Sequence, residues 1–394
     1  MKKRIGIIGN GVAGLQLAYA LKDEFDVTMH HYEDPADIRQ GRIRSTQVHF
    51  HPAVERGQRA GMPAAEEAPP IQTIHFSMGA QKLFVGRLAG PAKSVDQRLA
   101  FAAGTSDLME QGVRLRKDRV MPSDIGALAD NYDLVIDATG KSGPLFPFPV
   151  EQALTPFQTP QRKCSVGYFT GVSPVSPAGV SITVLPGAGE MFEIPAFTDK
   201  GPVTILFIEA VPEGPLDAFK GVKSAAEFEE RMKATVQLHF PAIQGRVDAE
   251  HFALVDHHAY LQTAITPVVR RPYVMHGDKL ILGCGDSAVL ADPITGQGCN
   301  TASYCAEQLV ATLMDHKETS WDEQVGIAYW KRTHPYVTAV TEWTNAMTGP
   351  LPEHIAQLLM QAAGDQETAD RIAHWFEHPP RAYEAFFQSA ARTD

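Results

Sequence analysis

The hydrophobic pattern at the start of the chain predicts a strand, a helix and a second strand. A short apolar run over Arg4–Ile8 ends in glycines, as buried parallel strands often do. Apolar side chains then recur with a helical period over residues 12–22, and DVTMHHY at residues 26–32 predicts another strand. This order predicts a βαβ unit.

The pattern changes between about residues 160 and 270. Short runs rich in β-branched and aromatic residues, such as GVSITVLPG and VTILFIEAV, are separated by glycine and proline, which predicts an antiparallel sheet. A strand, a glycine turn and a helix return near residue 280, and amphipathic helices follow from about residue 323. Because the first and last parts share the strand–glycine–helix pattern, we expect them to build one sheet.

Composition narrows the class of protein. Of the 394 residues, 44% are hydrophobic and 21% are charged, which is typical of a globular chain with sizeable cores. The net charge of -11 argues against nucleic acid or an anionic membrane as the main partner. The four cysteines show no CxxC spacing, and no apolar run reaches the length of about 18 residues that a membrane span needs. We therefore expect a reduced, soluble, cytoplasmic protein.

A GxGxxG motif, GNGVAG, lies between the first strand and the helix. Gly9 permits the tight turn, Gly11 lets a pyrophosphate approach the backbone, and Gly14 allows close helix packing. Val12 and Ala13 place the helix N-terminus against the phosphate charge. The motif in this context predicts a dinucleotide site.

The acidic residue that usually follows such a motif is displaced. It would fall at about His31, whereas the nearest acids are Glu33 and Asp34. The ribose contact is therefore made differently or by Glu33 after a local shift, and the sequence leaves both alternatives open.

A second glycine-dense segment, GCGDSAVLADPITGQGCN, favours FAD over NAD. A simple NAD dehydrogenase has no need of it, whereas Asp286 at the end of a strand can accept hydrogen bonds from ribitol or ribose hydroxyls. The residues 296–300 then begin a helix whose N–H groups can face the flavin or its phosphates. Taken alone, Asp286 would be a turn or capping residue; the other glycine motif in the same chain favours the flavin.

Several segments together resemble the two-component styrene/indole monooxygenase family, in its epoxidase subunit. MKKRIGIIGNGVAGL, PAKSVDQRL, FQTPQRKCSVGYFTG, GAGEMFEIP, LGCGDSAVLADPITGQGCNTASY and TEWTN are similar to that family in order and spacing. The resemblance covers nearly the whole chain. The residues that carry the flavoprotein-monooxygenase pattern or match its cofactor contacts are Gly9, Gly11, Val12, Ala13, Gly14, Thr139, Gly140, Gly285, Asp286, Pro293, Gly296, Gln297, Gly298, Cys299 and Asn300.

The resemblance implies an α/β fold: an FAD-binding Rossmann-like domain of the aromatic-hydroxylase type, an inserted antiparallel β-sheet substrate domain and C-terminal helices. We assign residues 1–45, 88–160 and 270–330 to the first, residues 46–87 and 161–269 to the second, and residues 331–394 to the helical segment.

The resemblance also implies that flavin reduction and oxygenation are carried out by two separate proteins. A separate NADH-dependent flavin reductase delivers reduced FAD, and the oxygenase uses O2 to form a C4a-hydroperoxyflavin that epoxidises indole at its 2,3 double bond, or styrene-like alkenes. Indole epoxide would open to indoxyl and give indigo. Because such a flavin is already electrophilic, no metal is expected. The segment at Pro293 is expected to shape the site where flavin meets oxygen.

The stretch RSTQVH bears on the substrate. Ser45, Thr46, Gln47 and His49 match a segment that lines the active site in the family, and Ser45, Gln47 and Ala92 resemble its indole branch. An amide or hydroxyl acceptor suits the N–H donor of indole, which styrene lacks. Ordinary packing explains any one of these residues equally well.

Three arginines are candidate phosphate ligands. Arg98 matches a helix arginine near the FAD pyrophosphate in the family, the alternative being a surface arginine with an acid partner on its own helix. Arg42 and Arg44 are similar candidates.

The alternatives left open are a styrene monooxygenase proper and a single-component NAD(P)H-dependent aromatic hydroxylase. A monomer and a homodimer are both compatible with the sequence.

Overall fold

The computed structural model describes residues 2–388, and it contains two large sheets and a small one. The strands are β1 (Arg4–Ile8), β2 (Asp26–His31), β3 (Ile71–Met78), β4 (Gln81–Ala92), β5 (Arg114–Lys117), β6 (Leu134–Asp137), β7 (Lys163–Thr170), β8 (Gly179–Leu185), β9 (Gly189–Thr198), β10 (Gly201–Ala210), β11 (Ala253–Leu254), β12 (Tyr260–Ala264), β13 (Val268–Val269), β14 (Tyr273–His276), β15 (Lys279–Gly283) and β16 (Val289–Leu290). The helices are α1 (Val12–Leu21), α2 (Pro35–Gln40), α3 (His51–Arg59), α4 (Gln97–Glu110), α5 (Ile125–Asn131), α6 (Ala225–His239), α7 (Pro241–Gln244), α8 (Gly298–Asp315), α9 (Glu323–Met347), α10 (Glu353–Ala362), α11 (Gln366–Glu377) and α12 (Pro379–Tyr383).

The first sheet has the order β14-β15-β6-β1-β2-β5 and is parallel except for β14. Ile7 lies between Met29 and Ile136 in register, and all three are fully buried. Helices α1 and α8 share a hydrophobic core with this sheet. Because every parallel strand points the same way, their carboxyl ends meet at one edge.

The second sheet has the order β11-β7-β10-β9-β8-β3-β4, with β12 also on β7, and is antiparallel except where β3 meets β8. Buried side chains of α6 pack with one part of this sheet. The helices α10 and α11 pack with another part.

The α/β fold with an inserted, mainly antiparallel sheet and C-terminal helices is confirmed. The domain limits stay a prediction, and two of them cut through elements. The limit at residue 88 falls inside β4, which continues to Ala92; a Cβ at Gly90 would lie 2.3 Å from the His51 ring, so this glycine permits a close approach within a strand. The limit at residue 330 falls inside α9, and the last predicted helical residues, 389–394, lie outside the described part.

Within residues 2–388, no helix combines the length and apolar character needed to cross a bilayer.

Candidate active site

A cleft of about 630 Å³ lies where the carboxyl ends of β1, β2, β6 and β15 face the second sheet. Its lining therefore comes from turns that follow parallel strands and from one face of the antiparallel sheet. The volume is in the range of cofactor and substrate pockets.

The turn after β1 has a separate geometric reason for each of its three glycines. Gly9 has φ 109°, and a Cβ there would lie 2.4 Å from the Ala138 carbonyl oxygen. At Gly14 a Cβ would lie 1.9 Å from the Gly9 carbonyl oxygen, whereas at Gly11 it would meet nothing within 4 Å. Gly11 therefore borders open space in the cleft, together with Val12 and Ala13.

No side chain caps α1, and its first turn holds no acid. The free N–H groups of this turn therefore present a partial positive charge next to Gly11, as an anion site requires.

A buried aspartate holds the turn after β6. Asp137 accepts hydrogen bonds from the Thr139 backbone N–H, from the Thr139 hydroxyl at 2.6 Å and from the Leu145 N–H at 2.7 Å. Burial nevertheless raises the pKa of Asp137. These bonds fix Thr139 and Gly140 on the cleft wall, where Gly140 has φ 72°.

Asp286 follows β15 and faces the cleft with Gly285. Its carboxylate accepts no hydrogen bond from the residues the structure describes, and burial raises its pKa to about 6, opposed by the nearby Lys141. Lys141 Nζ donates to the Arg44 carbonyl oxygen at 2.9 Å. A half-buried acceptor of this kind, without a partner, is suited to hydroxyl donors of a ligand.

The turn Pro293–Thr295 begins at Asp292, whose side chain accepts from the Ile294 N–H at 3.1 Å. Gly296 ends this turn in the left-handed region at φ 64°. Pro293, Gly296, Gly298 and Cys299 line the cleft at the uncapped N-terminus of α8. We call residues 292–298 the 292–298 loop.

The side chains of Gln297 and Asn300 do not line the cleft, and their cofactor contacts stay a prediction for the backbone N–H groups at the start of α8. Gln297 Nε2 donates to the Phe376 carbonyl oxygen at 2.9 Å. Asn300 Nδ2 donates to the carbonyl oxygens of Val48 and Gly296, and its Oδ1 accepts from the Phe50 N–H at 3.0 Å. Both side chains are buried and hold the 292–298 loop to its surroundings.

Six side chains of the second sheet form an apolar wall at the other side of the cleft. They come from one face of four neighbouring strands, as the alternation along β8 and β9 shows. The apolar wall consists of Ile74, Val180, Ile182, Phe192, Ile194 and Phe207. Among the described residues, every acidic, basic or histidine side chain lining the cleft lies outside this sheet.

Ser45, Thr46 and Gln47 line the cleft beside this wall. Ser45 Oγ accepts a hydrogen bond from Gln97 Nε2 at the start of α4. Gln47 Oε1 lies 2.9 Å from His49 Nε2, which donates because an amide oxygen can only accept.

His49 and Ala92 stand behind the cleft instead of on its surface, which corrects their predicted place. His49 is joined to Lys93 by backbone hydrogen bonds and contacts the cleft through Gln47. Burial lowers its pKa to about 4. Ala92 is fully buried in the core with Val48 and Phe50 because its strand position faces that core.

Every N–H group of the Arg98 guanidinium is already paired, which disfavours its predicted role as a phosphate ligand. Nε donates to Asp96, Nη1 to Asp256 and the Gly41 carbonyl oxygen, and Nη2 to both aspartates. The residue is 7% exposed. It joins α4 to two chain segments in a buried ion-pair network.

The other two arginines differ from each other. Arg42 lies over the Tyr260 ring, at 5.2 Å, and does not line the cleft. Arg44 lines it, stacks over Tyr32 and pairs with Glu33. Glu33 is thus occupied by Arg44 and does not reach the cleft itself.

Comparison with known proteins identifies the family. The family model described as "Styrene monooxygenase A putative substrate binding domain" matches residues 140–246. Styrene monooxygenase StyA of Pseudomonas fluorescens is 30% identical over 401 residues, which cover 98% of this chain and 95% of StyA. The chain belongs to the styrene monooxygenase family. It is accordingly a flavin-dependent monooxygenase related to StyA.

Solved structures share the fold of this styrene monooxygenase family member. PqsL of Pseudomonas aeruginosa, in complex with 2-aminobenzoylacetate, is 13% identical with a TM-score of 0.65 and covers 98% of this chain and 99% of its own. A flavoprotein/dehydrogenase from Cytophaga hutchinsonii is 14% identical with a TM-score of 0.68, covering 96% and 93%. At these identities the likeness concerns the fold alone.

Some cleft residues of this family member were missed by the sequence reasoning. Gln97 and Lys141 stand next to predicted residues, but nothing in the sequence shows that they meet Ser45 and Arg44. The apolar wall could have been predicted from the sequence, because Val180 and Ile182 are spaced by two residues, as are Phe192 and Ile194. This spacing places each pair on one face of a strand.

Proposed function

We propose that the protein is the oxygenase of a two-component system that uses reduced FAD and O2 to epoxidise a small aromatic alkene, with indole favoured over styrene. The main support is that one cleft is lined by the glycine turn at residues 9–13, which we call the dinucleotide cradle, and by the apolar wall on the opposite side. An alkene offers no proton to remove, and the wall supplies no acid or base.

The residues around the cradle fit FAD. Gly11 leaves room for a pyrophosphate beside the first turn of α1, Gly9 lets the preceding turn pack against Ala138, and Asp286 provides an unused acceptor for a ribitol hydroxyl. Thr139, Gly140 and Gly285 complete this side, and Arg44 is the predicted arginine that reaches the cleft. Reduced FAD, when bound, supplies the electrons that activate O2.

The protein's own part is to hold the substrate and keep water away. The apolar wall removes an aromatic ring from water, and Pro293 with Gly296 closes the side nearest α8. A dry site protects a reactive flavin from side reactions. The wall also fixes the face of the ring that meets the cofactor.

Indole is favoured by the polar groups that border the wall. Gln97 Oε1 accepts no hydrogen bond from the described residues, and Ser45 Oγ and Gln47 Oε1 each keep a free lone pair. An indole N–H can donate to one of these oxygens, whereas styrene has no N–H and would leave Gln97 Oε1 without a donor.

Reconstituted turnover tests the proposal. Purified protein, a flavin reductase, FAD and NADH are supplied with indole or styrene, and we expect indigo from indole at a higher kcat/KM than styrene oxide from styrene. Oxygenation of neither substrate would contradict the assigned chemistry.

A second arm tests the reductase requirement. FAD-loaded protein mixed with NADH or NADPH alone should keep its oxidised flavin absorbance, because the family resemblance assigns flavin reduction to another protein. Rapid bleaching would instead indicate a single-component hydroxylase.

A further inference from the structure

A fully buried glutamate lies near the end of β10, away from the cleft lining. Glu209 is opposite Cys164 of β7 and opposite Glu190 of β9 in the strand registers. Neither of its carboxylate oxygens receives a hydrogen bond from an N–H group or hydroxyl of the described residues. Two carboxylates directly opposite each other destabilise a sheet if both are charged.

The guanidinium that lies near Glu209, within the part of the chain that the structure describes, is already paired with another acid. Arg162 forms a buried two-point ion pair with Glu190, at 2.8 and 3.0 Å, and its Nη1 donates to the carbonyl oxygens of Gln161 and Thr348. Its charge is therefore balanced by Glu190. Glu209 is left without a cation of its own.

The group that meets Glu209 is the first residue of the 292–298 loop. Asp292 is 1% exposed, its Oδ1 accepts from the Ile294 N–H, and its Oδ2 receives no N–H or hydroxyl donor. The carboxyls of Glu209 and Asp292 are close enough to act on each other's protonation, and three of their four oxygens are buried without a hydrogen-bond partner among the described residues. Two carboxyls can share a hydrogen bond only if one of them carries a proton.

The surroundings favour a proton over a metal ion. No set of three or more His, Cys, Asp or Glu side chains within residues 2–388 is arranged to hold a metal. The charged and titratable groups around the pair are Arg162, Cys164 and Glu190, with Lys141 acting on Cys164. Burial raises the pKa of Glu209 well above its ordinary value and that of Asp292 to about 6.

We propose that Glu209 and Asp292 hold one proton between them and act as positioning residues for the 292–298 loop. Asp292 caps the turn Pro293–Thr295, so the shared hydrogen bond ties the start of that turn to β10 of the second sheet. The link to the cofactor rests on the proposed function, because Pro293, Gly296 and Gly298 face the space assigned to FAD.

Infrared spectroscopy of the protein without flavin tests the shared proton. We expect a protonated-carboxyl C=O band at neutral pH that is absent from Glu209→Gln. Glu193→Gln is the matched control: Glu193 is a buried β9 carboxylate paired with Arg246, so its loss should leave the band unchanged. A spectrum without any band lost in Glu209→Gln would overturn the proposal.

The pH dependence of unfolding, again without flavin, gives an independent measurement. The pKa of the pair is raised in the folded state, so the bound proton contributes to the free energy of unfolding at low pH. This contribution is lost as the pH rises from the carboxyl pKa of the unfolded chain to the raised pKa of the folded protein. Between these two pKa values, one shared proton raises the equilibrium constant for unfolding by up to about tenfold per pH unit. Glu209→Gln should remove this slope relative to wild type; parallel profiles would contradict the shared proton.

FAD binding at fixed pH tests the positioning role. Glu209→Gln keeps a donor for Asp292, whereas Glu209→Leu leaves Asp292 Oδ2 without one, so we expect the leucine variant to bind FAD at least about tenfold more weakly than the glutamine variant. Equal affinities, with the infrared band present in wild type, would overturn positioning. Wild type that shows the band and binds no FAD would overturn the proposed function and support the shared proton.

Discussion

The polar side chains beside the apolar wall form two separate hydrogen-bonded pairs. Gln97 donates to Ser45, and His49 donates to Gln47 from behind the cleft. Because burial lowers the pKa of His49 to about 4, its ring is neutral near pH 7 and no charge reaches the substrate. If the proposed substrate binds at this end, it meets neutral oxygens, which would discriminate an N–H donor from a hydrocarbon.

The double variant Ser45→Asn with Gln47→Val tests this discrimination. We expect the kcat/KM ratio of styrene to indole to rise by about tenfold, because an acceptor for the indole N–H is lost. Ala92→Ser is the control and should change the ratio by less than about twofold, since Ala92 is fully buried behind the cleft. An unchanged ratio in the double variant would mean that these side chains do not meet the substrate.

Asp286 sets a second expectation at the residue scale. Its pKa of about 6 means that the carboxylate is ionised at neutral pH and becomes protonated as the pH falls. Because an ionised carboxylate accepts hydroxyl hydrogen bonds more strongly, FAD affinity should fall as pH drops through about 6. In Asp286→Asn this dependence should disappear, with affinity at neutral pH about tenfold lower. Fluorescence titration of FAD would measure both, and an Asp286→Asn profile that follows wild type would refute the role.

At the scale of elements, the glycines of the β1–α1 turn differ in what surrounds them: Gly14 is tightly packed, whereas Gly11 faces open space. A Cβ at Gly14 would collide with the Gly9 carbonyl oxygen, whereas a Cβ at Gly11 would project into open cleft space. The same type of residue therefore permits close packing at Gly14 and leaves open cleft space at Gly11.

Alanine substitutions distinguish the two. Gly14→Ala should destabilise the protein by about 2 kcal/mol or more, measured by denaturant unfolding without FAD. Gly11→Ala should leave that stability within about 0.5 kcal/mol and weaken FAD binding by at least about tenfold, because the methyl group occupies phosphate space. Equal losses of stability in both variants would contradict this division.

Other elements show what the chain pattern can predict. The turn and helix at residues 9–21 follow from a local sequence pattern: the close backbone approaches expected at Gly9 and Gly14 are present, and Gly11 borders open space. Arg98, Gln297 and Asn300 belong to equally recognisable segments, yet their partners are Asp256, Phe376 and Val48, which are distant in sequence. A motif places a residue near a site but does not select its hydrogen-bond partner.

At the scale of the whole molecule, the cleft joins two sheets that have separate cores. A ligand held by both sides stabilises both. We therefore expect FAD at about 100 times its Kd to raise the free energy of unfolding by about 2.7 kcal/mol. Thermal scans should show one transition that moves upward; a shift confined to one of two transitions would show that FAD contacts a single sheet.

The sequence by itself determined the βαβ start, the antiparallel insertion, the glycine cradle and the family, because these depend on local periodicity and on short motifs. The tertiary structure alone decided that Ala92 is core, that Arg98 is fully paired, and that Glu209 meets Asp292. The reason is physical: burial and pairing of a charged group depend on which strands become neighbours. The fold brings the end of β10, at residue 210, next to a loop that begins at residue 292, which is 82 residues further along the chain.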